Sequence, residues 1–154
     1  MPPSPDAAPR SADGPTILVV SDQQDWHVRQ MEAAFNALGA RVARIDLAAC
    51  DFDTRSPSGL ALQSLGARLP DAVHVRTLSA GSFEAVTKRL GVLHALAKLG
   101  VVVWNDARAI ERCVDKSMTS FLLAQAGVPT PPTWTMESAE SARAHRSRRR
   151  LRVS

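Results

Sequence analysis

A chain of 154 residues is enough for one domain and not for two full ones. Apolar residues make up 45% and aromatics 5%, with no Tyr, so surfaces for stacking bases are few and no apolar run is long enough to cross a bilayer. The formal charge of +4 sits entirely at the end: residues 1–136 carry 13 Lys/Arg against 13 Asp/Glu, while 137–154 carry six Arg against Glu137 and Glu140, so the folded part makes no charge argument for nucleic acid.

Met1–Pro15 is rich in Pro and small polar residues and reads as a disordered leader without the apolar segment of a secretory signal. Thr16–Val20 (TILVV) is a β-branched run that predicts a buried parallel strand ending at Ser21-Asp22. Asp22 or Asp25 is placed to cap a helix whose stripe is Val28, Met31, Phe35 and Leu38, closed by Gly39. Arg41–Ile45 predicts a second strand with Asp46 at its end, which completes a strand–helix–strand unit. The stretch 47–69 carries loop signals, and Leu60–Leu65 fits a helical turn or a strand pair equally well.

Ala72–Arg76 (AVHVR) predicts a third strand. Ser82 opens a helix with the stripe Phe83, Val86, Leu90, Leu93 and Ala97, and Val101–Trp104 reads as a fourth, buried strand. This order gives an α/β fold, an open, mostly parallel sheet flanked by helices. Ligands on such sheets bind beyond the carboxyl ends of the strands, here Ser21-Asp22, Asp46, Arg76-Thr77 and Asn105-Asp106.

Three residues are candidates for chemistry. Lys116 follows a plausible Asp115 cap at a helix start; there it is either an exposed helix residue or a cation for phosphate. Asn105 follows a strand, where it can bond a ligand or its own backbone in an Asx turn. Arg76 ends a strand, where it either pairs with Asp71 or Asp106 or reaches a carboxylate or phosphate. No dinucleotide-binding glycine motif, P-loop or nucleophile elbow is present. His27, His74, His94 and His145 lack metal-ligand spacing, so no metal site is assigned. A receiver domain would need an Asp where Arg76 stands. Cys50 and Cys113 lie far apart and read as incidental thiols of a reduced, cytoplasmic protein.

Asn105, Ala109-Ile110, Asp115-Lys116, Thr119, Leu122-Leu123, Gly127-Val128-Pro129 and Pro131-Pro132-Thr133 together resemble the start of the ATP-grasp fold in RimK-like ligases. The stretch VRTLSAGSFEAVTKRLGVLHALAKLG resembles the preceding domain in the subgroup that includes ligases adding glutamate to a tetrahydromethanopterin-type coenzyme. The resemblance covers roughly residues 16–140. It implies an ATP-dependent carboxylate–amine ligase working through an acyl phosphate with Mg2+. Its partners are then a small-molecule or peptide carboxylate and an amino acid, with no membrane and no specific nucleic acid. By resemblance Lys116 contacts the ATP phosphates, and Arg76 and Asn105 face the substrate cleft.

The expected organisation is a leader (1–15), a pre-ATP-grasp α/β domain (16–114), the start of the ATP-grasp region (115–140) and a basic tail (141–154) that is disordered or frame-shifted. The family's second ATP lysine, glycine-rich loop and acidic magnesium ligands have no counterpart here, so the chain alone is expected to be inactive, and the helix from Asp115 to Ala126 to leave an apolar face open for association. The alternative is a non-catalytic, flavodoxin-like binding module with an Arg-rich tail.

Overall fold

The computed structural model describes residues 14–63, 65 and 68–150; residues 1–13 of the leader and 151–154 of the tail lie outside the described residues. The chain divides into two compact units, Met1–Ile110 and Glu111–Ser154.

The first unit is built on a four-stranded parallel sheet. Its strands are β1 (Thr16–Val20), β2 (Arg41–Ile45), β5 (Ala72–Val75) and β6 (Val102–Trp104), in the spatial order β2-β1-β5-β6. Two helices connect them: α1 (Trp26–Ala37) between β1 and β2, and α2 (Phe83–Lys98) between β5 and β6. The chain first steps from β1 to β2 and later from β5 to β6 in the opposite direction. With right-handed crossovers the two helices lie on opposite faces, and the strand order reverses between β1 and β5.

Side-chain alternation sorts the core. Leu18 pairs in register with Val73 and Val20 aligns with Val75, so these four share a face. They join Val92, Leu93 and Leu96 of α2 in the main core. Val19 aligns with His74 on the other face, where the Phe35 ring of α1 meets His74 with centroids 6.1 Å apart. Each Leu or Val fully withdrawn from water here contributes about 1.5–3 kcal/mol.

The stretch 47–69 forms a 3-10 turn (Leu47–Ala49) and an antiparallel hairpin of β3 (Cys50–Phe52) and β4 (Leu60–Leu62). Of the two readings that periodicity left open, the strand pair forms. Leu47, Cys50, Leu60 and Leu62 are buried, and they extend the core over α2.

Three sequence expectations need correction. Leu38 is 83% exposed, because α1 ends at Ala37 and Gly39, at φ +81°, turns the chain away before the stripe completes. In α2 the buried set is Arg89, Leu90, Val92, Leu93 and Leu96; Phe83, in the first turn, is 83% exposed. The helix thus rolls its buried face toward Val92 and Leu96. The fourth strand is not buried. It lies at the sheet edge with Val102 and Trp104 more than 60% exposed, and only Val101, just before it, is buried.

The second unit contains the end of α3 (Ala107–Val114), then α4 (Lys116–Gln125) and α5 (Ala139–Arg150). Pro129, Pro131 and Pro132 occupy the irregular stretch after α4. No residue of α4 is buried, and Met118, Phe121, Leu122 and Leu123 are exposed. Helix α5 runs through Arg143, Arg146 and Arg148–Arg150 of the basic segment, and Trp134 packs against His145 with ring centroids 5.1 Å apart.

Candidate functional site

The ends of β1 and β5 meet where the strand order reverses, and polar side chains collect there. The Ser21 and Thr77 hydroxyls lie 2.9 Å apart, and Thr77 donates to Asp22 Oδ1 at 2.9 Å. Ser21 also donates to the Gln23 carbonyl at 2.7 Å, so this buried hydroxyl is fully used. From the end of β2, Arg44 donates to the Ser21 carbonyl at 2.8 Å.

Arg76 stands beside this cluster. Its guanidinium approaches Asp25 Oδ2 at 3.5 Å, and each side chain keeps about a third of its surface open. Neither Asp71 nor Asp106 is its partner, as sequence spacing had offered. Asp71 Oδ2 accepts from the Thr16 amide at the other end of the sheet, and Asp106 Oδ1 caps α3 through the Arg108 and Ala109 amides. Asp25 is the cap of α1: its Oδ1 accepts from the Val28 amide at 2.8 Å. That hydrogen bond, with the Arg76 charge as a lesser cause, holds the Asp25 carboxyl below the usual carboxylate range.

Asn105 forms no Asx turn. Its Nδ2 donates to the Val75 carbonyl at 3.1 Å, tying the end of β6 to the end of β5 just before Arg76; the peptide bond preceding it is cis.

Two contributors escaped the sequence reading. Ser79 donates to Asp46 Oδ1 at 2.9 Å, which joins the β5–α2 loop to the end of β2. Arg89, buried to 9% exposure, donates through Nη1 to the Ser79 and Ala80 carbonyls at 2.6 and 3.2 Å and holds that loop down from below. One signal was available for Arg89: it lies three residues after Val86 and four before Leu93, on the apolar side of α2. Nothing local marks Ser79 or Asp46 as partners, which are 33 residues apart.

Lys116 is in the other unit, as the first residue of α4. Asp115 Oδ1 accepts from the Ser117 and Met118 amides at 2.9 and 3.0 Å. The Lys116 amine donates to the Cys113 carbonyl, and the Thr119 hydroxyl donates to the Arg112 and Asp115 carbonyls. The D-K-x-x-T sequence therefore builds a helix–helix corner: the Asp caps α4, while Lys and Thr take up carbonyls left open at the end of α3. With these amides capped, the Lys116 ammonium group stays exposed at the corner. Among the described residues no group of three or more His, Cys, Asp or Glu is arranged to hold a metal ion. These residues fit one contact to a nucleotide phosphate and do not fit a magnesium site. A separate cavity of about 370 Å³, lined by Thr16, Arg41, Arg68 and Asp71 among others, lies at the amino ends of the strands, away from this cluster.

No described helix is long and apolar enough to cross a membrane. No family model matches the chain. Over 130 residues it is 33% identical to the tetrahydromethanopterin:alpha-L-glutamate ligase of Methanosarcina acetivorans, a match covering 81% of this chain and 40% of that protein. The fold is shared with solved structures of the ATP-grasp ligase PsnB. With its minimal precursor, Mg and ADP bound, the match has a TM-score of 0.57 at 20% identity, over 86% of this chain and 50% of that one. With the precursor alone the score is 0.59 at 22% identity, over 88% and 50%. The chain thus spans 40% of its curated relative and half of these structures. Its motif set, its parallel sheet and these likenesses support a partial RimK-like ATP-grasp fragment.

Proposed function

We propose that this chain forms the leading part of an ATP-dependent carboxylate–amine ligase that adds glutamate, and that the part described does not complete the reaction alone. The observation that carries this reading is the 33% identity with a glutamate ligase, which extends over 81% of the chain and not over one motif. In that reaction ATP supplies the phosphoryl group that activates a carboxylate, and an amine then displaces the phosphate. Residues 16–114 act as the pre-ATP-grasp domain and 115–140 as the start of the ATP-grasp region, in a cytoplasmic enzyme whose two cysteines stay free.

Lys116 is the proposed contact to ATP phosphates. Its amine leaves the Cys113 carbonyl by side-chain rotation, which keeps the Asp115 cap intact. Arg76 faces the substrate, and Asn105 fixes the strand ends around it. Phosphoryl transfer depends on metal and positioned cations about the transferring group, and one lysine, with no metal-holding cluster among the described residues, falls short of that. A coupled ADP-release assay with glutamate and candidate carboxylates is therefore expected to stay at background. Turnover that disappears in Lys116→Ala would sink the claim of inactivity. ADP binding measured by calorimetry tests the lysine itself: affinity equal in wild type and Lys116→Ala removes its assigned role.

A second reading, a flavodoxin-like binding module, draws on the polar cluster at the strand-order reversal. RNA binding that survives 200 mM salt (roughly the concentration at which phosphate contacts lose most of their strength) and requires the tail arginines would favour it.

A further inference from the structure

We infer that Arg76 recognises a ligand carboxylate at the β1–β5 switch point, and that Asp25 occupies the arginine until that carboxylate displaces it. The inference deepens the ligase reading, on which it rests for making the ligand a substrate; the recognition itself rests on the geometry.

Position comes first. Arg76 leaves the end of β5 beside the end of β1, where an open α/β sheet forms its crevice. The quality of the Arg76–Asp25 contact comes second. A structural arginine–carboxylate pair is usually bidentate and short, near 2.7–2.9 Å. This one is a single contact at 3.5 Å, with both side chains about a third open. Solvated pairs of that kind contribute little and exchange partners at small cost. The third point is that Asp25 has a second duty. Its Oδ1 stays on the Val28 amide whether or not Oδ2 keeps Arg76, so displacement leaves the α1 cap whole. The surroundings select the ligand group. The Ser21 hydroxyl is committed to the Gln23 carbonyl, the Thr77 hydroxyl to Asp22, and Asn105 Nδ2 to the Val75 carbonyl. That leaves the guanidinium as the donor set able to turn outward. Its planar fork matches a carboxylate bidentately. With Asp22 and Asp25 close by, a carboxylate group, whose single charge is shared by two oxygens, is better tolerated at the guanidinium than a phosphate that carries up to two charges.

The test is an amide-shift NMR titration of the whole chain with glutarate, with inorganic phosphate in a parallel arm. Glutarate is expected to move the amides of Val20–Asp25 and Arg76–Ser79 saturably. Arg76→Gln should abolish the shifts and Arg76→Lys should weaken binding, with spectral dispersion retained. Asp25→Asn keeps a capping acceptor and removes the competing charge. It should tighten glutarate about threefold or more, because apparent affinity scales with the fraction of Arg76 that is free. Absence of saturable shifts, unchanged affinity in Arg76→Gln or Asp25→Asn, equal binding in Arg76→Lys, or phosphate saturating the same amides more tightly than glutarate each overturns the assignment. Glutarate binding in a chain whose ADP affinity is the same in wild type and Lys116→Ala leaves this inference standing without the ligase reading. ADP binding that depends on Lys116, without glutarate binding, does the reverse.

Discussion

The Thr77 hydroxyl lies 2.9 Å from the Ser21 hydroxyl and 2.9 Å from Asp22 Oδ1, joining the end of β5 to the end of β1 across 56 residues of chain. Ser21 is 1% exposed and cannot turn to water if this neighbour is lost. Thr77→Val keeps the shape and removes the hydroxyl. Ser21 keeps the Gln23 carbonyl and Asp22 loses its Thr77 donor, so the variant is expected to be destabilised by about 0.5–1.5 kcal/mol, the net contribution of a typical hydrogen bond. Urea denaturation checks it, and an unchanged midpoint would mean that the contact is ornamental.

His74 gives stability a pH dependence. Burial, followed by the nearby Arg76 charge, holds its pKa below the ordinary histidine value. The unfolded chain therefore binds a proton at a higher pH than the folded one does. The stabilisation is complete above the unfolded value of about 6.5 and is lost as pH falls below it. Asp25 acts in a separate window, since its lowered carboxyl loses its contribution only in the acid carboxylate range. The urea midpoint should fall between pH 7.5 and 5.5, and His74→Leu should flatten part of that slope. A slope identical in the variant would assign the effect elsewhere.

The two thiols should differ sharply. Cys50 is buried between Asp46 and the hairpin core, and desolvation pushes its pKa up to about 11, while Cys113 is exposed. Only thiolates react with disulfide reagents. At pH 8 the native chain should consume one equivalent of Ellman's reagent quickly, and Cys113→Ser should remove that phase. A second equivalent should follow only on unfolding. Two rapid equivalents in the native chain would contradict the burial of Cys50.

The corner at Asp115 should be locally fragile. Asp115 Oδ1 holds two amides of α4, a helix with no buried residue to hold it otherwise. Asp115→Ala removes about 1 kcal/mol of capping. Hydrogen exchange at Ser117–Thr119 should accelerate severalfold while that of β1 and β5 stays unchanged. Uniform acceleration across the chain, or none, would refute a cap that acts locally.

The sequence by itself determined the parts of this protein whose causes are local. Periodicity placed β1, β2 and β5 and the two crossover helices, and Asp25, Ser82 and Asp115 were legible as caps because a cap bonds an amide two or three residues away. The α/β class and the family likeness of 100–133 followed from the same text. Tertiary structure decided what depends on distant partners. The hairpin of 50–62 is strand because its apolar residues find the core over α2, and three-residue strands carry too little periodicity to announce themselves. Val102 and Trp104 are as apolar as any buried strand, yet they lie exposed because β6 is the last strand of the sheet. Arg76 meets Asp25 instead of the nearer Asp71 because strand order brings the end of β1 beside the end of β5, while Asp71 sits at the opposite end of the same strand. Spacing along the chain ranks such pairs by separation in sequence; the sheet ranks them by which end of which neighbouring strand they occupy.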